Sequence, residues 1–181
     1  MARVTYADAR NVPPQTAATL GKVPPLRVFG LVARADTAFR PWLKYGGALL
    51  ADLSIDPLLR ELVILQVGRL NARYEWDQHV PITLAAGGTQ EQVDALDRGE
   101  TGSELFTAAQ RAMFAFVADF VRDGEVPDET YAALAAELDE KQIVEVGLVA
   151  GHYLGLARLM TALRIDPDEA VGVEGLPAAR L

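Results

Sequence analysis

Apolar residues recur at three- and four-residue spacing along most of the chain, and no stretch alternates apolar with polar residues convincingly enough to read as a strand. The clearest stripe is Leu58, Leu59, Leu62, Val63, Leu65, Val67 and Leu70. Ser54-Ile55-Asp56-Pro57 introduces it, with Asp56 as N-cap and Pro57 as the first helical residue. A second helical segment, ARYEWDQHVPITLAA over 72–86, stops at Gly87-Gly88. Thr89 and Gln92 form a capping box for a short helix through Leu96. Ser103 reads as the cap of a long helix to about Arg122, with Leu105, Phe106, Ala109, Met113, Phe116, Val117 and Phe120 on its apolar face. Pro127 opens another, to about Leu138, with Tyr131, Leu134 and Leu138 turned inward. Asp139 or Glu140 opens the last long helix, which ends near Arg164. Upstream, 26–34 forms a short helix and 41–51 belongs to a second. The pattern predicts six to nine helices and no sheet, hence an all-α fold.

Pro13-Pro14 and Pro24-Pro25 break the regular pattern and make residues 1–25 an irregular N-terminal arm. Residues 26–165 then read as one helical domain, and 166–181 as a loosely held tail. The segments LRELVILQVGRLNARYEW and KQIVEVGLVAGHYLGLAR share a faint pattern, a long apolar helix with a late Tyr and Arg. A chain of 181 residues has a one-domain length and enough apolar content to build one core.

Charge and composition remove several function classes. Seventeen Lys and Arg against 25 Asp and Glu give a net charge of −8, which repels a phosphate backbone, so no nucleic-acid partner is expected. The absence of cysteine removes thiol redox chemistry, thiolate metal sites and disulfides. The start lacks the apolar region of a secretory signal, and no uncharged apolar run approaches the roughly 20 residues of a membrane span. The most apolar stretch, 143–157, contains Glu145 and His152. A cytoplasmic protein without a membrane partner is the expectation. Gly-rich phosphate loops and nucleophile elbows are missing.

The densest polar cluster is ARYEWDQHVP. On a helix Glu75 and His79 stand at i and i+4 and share a face. A carboxylate beside an imidazole favours the protonated ring and equips the pair to exchange a proton near neutral pH. The same spacing is also common on solvated helix faces, where it adds only a few tenths of a kcal/mol. Pro81 removes a helical hydrogen bond to the Asp77 carbonyl and marks a kink beside the pair. Tyr74 and Trp76 read as core or interface residues, with substrate contact as the alternative. Glu61, adjacent to Arg60, is either a paired structural charge or a support for His79. His152 stands alone on an apolar helix, where Gly147, Gly151 and Gly155 repeat at helical spacing and point to close packing. Metal binding would need a third ligand from Glu61 or His152. The Glu75-to-His79 spacing is four, not the three of a di-metal carboxylate motif, so no metal site is expected.

The run RELVILQVGRLNARYEWDQHVPITLAAGGTQEQVDAL resembles the carboxymuconolactone decarboxylase family, within the alkylhydroperoxidase D-like superfamily. The likeness is most specific from Arg60 to Leu96. It extends more weakly through GHYLGLARLMTAL, so that the chain from near Trp42 to Leu163 follows the family's helical layout. The resemblance implies an alkylhydroperoxidase D-like helical bundle, assembled as a homo-oligomer, a trimer or a hexamer. In the redox branch the site is Cys-x-x-Cys-x-x-x-His. Aligned on His79, its cysteines fall on Ala72 and Glu75, so the thiol peroxidase mechanism has neither of its sulfurs here. The resemblance to the decarboxylase branch implies a cofactor-free lyase acting on a small carboxylated lactone or related acid. His79 would be the proton donor and Glu75 its orienter or a relay base. Tyr74 or His152 would donate to the oxyanion, and Glu61 would set the charge of the pair. Isomerisation, hydration or dehydration on the same pair, and small-molecule binding without catalysis, are the alternatives.

Overall fold

A computed structural model of the chain describes residues 1–171. Among these residues there is no strand, and the helices are α1 (Pro14–Leu20), α2 (Arg27–Val32), α3 (Asp36–Ala51), α4 (Pro57–Asn71), α5 (Arg73–Ala85), α6 (Gln90–Asp97), α7 (Ala108–Arg122), α8 (Asp128–Ala135) and α9 (Glu140–Leu163). The fold is all-α. The Asp56 carboxylate accepts from the Leu58 and Leu59 amides at 2.9 and 3.3 Å and so caps α4. Thr89 and Gln92 form the reciprocal box at the start of α6.

Three local expectations differ from the structure. The arm is not wholly irregular: Pro14 sits in the first turn of α1, where its missing N–H costs nothing. α3 includes 41–51 as expected, starting upstream of Pro41 and carrying that proline inside. α7 starts at Ala108 rather than after Ser103, because Thr107 and Gln110 make a full capping box and Ser103 closes only a turn. Leu105 therefore precedes the helix and is exposed, as is Tyr131, which was expected to face inward. On α8 only Leu134 is buried, so this helix rests on a narrow apolar contact.

The described residues divide into two compact units, one of 1–53 with 159–171, the other Ser54–Arg158. In the first, α3 packs against α1 and α2. The Ala7 amide bonds to the Gly30 carbonyl at 2.8 Å. The Tyr6 hydroxyl donates to Asp166 at 3.0 Å, and the Arg27 amide donates to Asp168 at 2.7 Å. Of the tail expected to be loosely held, 166–171 thus includes two anchored carboxylates, and 172–181 lie outside the described residues.

The second unit is built around α4, which packs against α5, α6 and α7. Leu62, Val63, Ile64, Leu65 and Val67 have no exposed surface, so α4 is buried on nearly every side. Gly68 makes its junction with α5 possible: a Cβ there would lie 2.9 Å from the Trp76 backbone nitrogen. α9 is long and apolar enough, by length and composition, to cross a membrane. It nevertheless buries Ile143, Val146, Val149, Ala150, Tyr153 and Ala157 as a core helix does. Its Glu145 carboxylate accepts from the Ser54 amide and hydroxyl and the Ile55 amide, all within 2.9 Å, which ties the loop before α4 to the start of α9.

Candidate active site

Every polar side chain in a helix as buried as α4 must find a partner or remain neutral. Glu61, with no exposed surface, divides its two oxygens. Oε1 accepts from Arg60 Nε and Nη2 at 2.9 and 2.8 Å. Oε2 lies 2.8 Å from His79 Nδ1. Burial pushes the Glu61 carboxyl up, but the charges and hydrogen bonds of His79 and Arg60 outweigh it and leave it below its ordinary value. Glu61 is therefore ionised and can only accept, so His79 Nδ1 carries a proton. The other ring nitrogen, Nε2, is left for exchange. The His79 side chain keeps 11% of its surface exposed, so the ring is sheltered but reachable.

α5 supplies the second acid. Ala72, in extended conformation, is its N-cap, and Glu75, Trp76, Gln78, His79, Ile82 and Thr83 are buried along it. Pro81 lies inside the helix, and the Thr83 hydroxyl bonds to the His79 carbonyl at 2.9 Å. Glu75 is 2% exposed, and neither of its carboxylate oxygens has a hydrogen-bond partner. Burial alone pushes its carboxyl well above the ordinary range, so it favours the neutral acid. The two glutamates thus separate into one ionised and one protonated group, a division of acid and base roles made by environment.

α9 brings Tyr153 to the same place. Its ring meets His79 edge-to-face, with centroids 5.1 Å apart and planes at 89°. Burial raises the phenol well above its ordinary value, and the charge of Glu61, with that of Glu75 once ionised, acts on it in the same direction. The His152 ring, adjacent in the chain, meets Tyr153 edge-to-face at 5.3 Å, and burial pushes it down to about 4, so it is neutral at physiological pH. Trp76 packs at Gly68 with the Arg73 guanidinium 5.1 Å over its ring. Tyr74 is half-buried.

The residues named from the sequence therefore fall into groups. Glu61 and His79 are directly bonded, and Glu75 is close by without bonding to His79. The imidazole's carboxylate is the one eighteen residues upstream, not the one a turn away, which is buried with both oxygens unpartnered. Tyr153 was missed. Its signal was present, because it occupies the buried stripe of α9 with Val146, Val149 and Ala150, and a phenol in such a stripe needs a polar neighbour. Among the described residues no group of three or more His, Asp or Glu is arranged to hold a metal ion.

The fold is similar to the alkylhydroperoxidase D-like helical fold. A peroxidase-related protein from Ralstonia eutropha JMP134, described as an alkylhydroperoxidase AhpD core, superposes with a TM-score of 0.77 at 17% identity, over 99% of this chain and 97% of that one. A peroxidase-related protein from Silicibacter sp. TM1040 gives 0.77 at 19% identity, over 92% of both chains. A cysteine-to-alanine variant of the debrominase Bmp8, in complex with 2,3,4-tribromopyrrole, gives 0.71 at 16% identity, over 98% of this chain and 94% of that one. The model of the carboxymuconolactone decarboxylase family matches residues 36–120 of the chain. No curated protein matches it.

Proposed function

We propose that this chain is a lyase-type enzyme of the carboxymuconolactone decarboxylase family, in which the Glu61–His79 dyad moves a proton at carbon. The observation that carries the reading is the buried 2.8 Å bond between Glu61 Oε2 and His79 Nδ1, which fixes the ring and its tautomer. The substrate class is a small carboxylated lactone or related acid with a carbonyl next to the bond that breaks. On decarboxylation the C–C electron pair enters the carbonyl, CO2 leaves, and the imidazolium delivers its Nε2 proton to the resulting enolate carbon. The neutral ring then regains a proton from water. Thiol chemistry finds no cysteine in this sequence: Ala72 and Glu75 occupy the positions aligned with the cysteine pair of the redox branch.

A panel of carboxylated lactones and enolisable acids in D2O tests this directly. Wild-type protein is expected to release CO2 from one class, or to exchange its α-hydrogen for deuterium, as followed by NMR. Folded His79→Gln protein is expected to do neither. Wild-type rates in that variant would remove His79 from the reaction, and melting shifts without turnover across the panel would assign a binding protein instead.

The homo-oligomer implied by the family resemblance belongs to this proposal. Val144 and Leu148, exposed at 60% and 43% on neighbouring turns of α9, are the apolar contacts that support it. Light scattering is expected to give a multiple of the 19.5 kDa chain mass, and Val144→Lys to lower it. A wild-type mass of 19.5 kDa at micromolar concentration would overturn the assembly.

A further inference from the structure

We infer that Tyr153 and Glu75 form an oxyanion-binding pair beside the Glu61–His79 dyad, each donating one O–H to the substrate oxygen that takes up charge. The assignment rests on the proton-transfer reading above and adds two residues that would touch the reacting group. Three observations carry it. Both oxygens of Glu75 are buried and have no hydrogen-bond partner, although native folds satisfy nearly all such atoms. Tyr153 is buried and lies edge-to-face against His79, with ring centroids 5.1 Å apart. Glu61 and Glu75 both lie near enough to Tyr153 for a carboxylate charge at either to act on its phenol.

These features have a common chemical explanation. A dyad that creates an enolate needs donors placed where the negative charge appears, and a water-poor setting strengthens them. Donors of that kind have no partner until the substrate arrives. A phenol and a neutral carboxylic acid each carry one O–H, and an ionised Glu75 would repel the enolate. The burial that keeps Glu75 protonated therefore makes it a donor. The electron balance is closed within the site. As a C–H bond gives its proton to the neutral His79 ring, or a C–CO2 bond releases CO2 beside the imidazolium, the bond's electron pair moves to the carbonyl oxygen held by Tyr153 and Glu75, and it returns to carbon when His79 supplies a proton. No oxidant or reductant takes part.

The test uses 4-nitrophenol with the full chain, because its absorption separates phenol from phenolate and its anion mimics an enolate oxygen. Wild-type protein is expected to bind the anion at neutral pH. Tyr153→Phe, which keeps the ring against His79, and Glu75→Leu are each expected to weaken binding about tenfold or more. Glu75→Gln, which keeps an N–H donor, is expected to recover part of the loss. Circular dichroism and melting curves confirm that each variant is folded, and Tyr153→Phe alone decides the matter if Glu75→Leu does not fold. A folded wild-type protein that binds no phenolate, or binds it equally well after Tyr153→Phe, overturns the assignment. His79→Gln separates the two readings. It is expected to abolish turnover and retain phenolate, so loss of catalysis without loss of binding marks the dyad, and the reverse pattern marks the donor pair.

Discussion

Glu61→Gln is expected to cut turnover by about 10²–10⁴, the range for loss of a positioned acid–base group, while Glu61→Ala is expected to cost about 3–5 kcal/mol of stability. Both effects come from the same two oxygens. Oε1 neutralises Arg60, and Oε2 orients His79. A glutamine keeps an acceptor for one partner only, and its amide loses the charge that stabilises an imidazolium at His79. Alanine leaves a guanidinium that is only 12% exposed, and an imidazole that is 11% exposed, without their anion. A buried pair broken from one side is costly for that reason, even where the intact pair contributes little net stability. Chemical denaturation of Glu61→Ala measures the second effect, and deuterium exchange with Glu61→Gln measures the first. The pH dependence has a definite sign. Glu61 titrates below its ordinary value in the folded chain, so its contribution to stability is complete above the ordinary carboxylate range and is lost as pH falls through the lowered value. Glu61→Gln should flatten the acid limb of the stability profile. An unchanged acid limb would show that the ionised carboxylate does not hold this site together.

The helical architecture was legible because helix ends carry local chemistry. Asp56, Thr89 and Gln92 announce their caps through spacing alone, and the structure makes those bonds. The start of α7 was misjudged where two caps compete within five residues, since Ser103 and Thr107 are of similar local quality until Gln110 completes one of them. Tyr131 was misplaced because a short helix with one buried leucine has no strong periodicity. The site was legible in part. Glu75 and His79 could be grouped because helical spacing is a property of adjacent sequence. The Glu61–His79 bond spans two helices, so it depends on how α4 and α5 cross at Gly68, and no pattern within either helix encodes that crossing. Tyr153 comes from still farther along the chain, on α9. Only the adjacency of Arg60 and Glu61 hinted that a charge in the most buried helix was already neutralised and free to serve a third group.

Glu75→Gln is expected to do the opposite of a typical core substitution and raise stability, by an amount that grows with pH. In the unfolded chain Glu75 ionises in the ordinary range near 4.5, whereas in the folded chain burial raises its value well above this. The folded state therefore holds the extra proton between the two values. The stabilisation linked to that proton is fully present below the unfolded value and is lost as pH rises through the raised folded value. Each pH unit crossed in that window costs the wild type about 1.4 kcal/mol, whereas a glutamine of nearly the same shape pays nothing. The two proteins should melt together near pH 4 and diverge above it, by roughly 2–4 °C for each kcal/mol in a chain of this size. Other groups face Glu75 in the same region: Glu61 and His79 on α4 and α5, and Tyr153 on α9. All three are present in wild type and variant alike, so a pH-dependent divergence between the two proteins belongs to Glu75. An infrared carboxylic-acid C=O band that persists at neutral pH and disappears in Glu75→Gln would identify the protonated group itself. Equal melting temperatures at pH 4 and pH 8, with no such band, would mean that Glu75 is ionised in the folded chain and cannot donate a proton to a substrate oxygen.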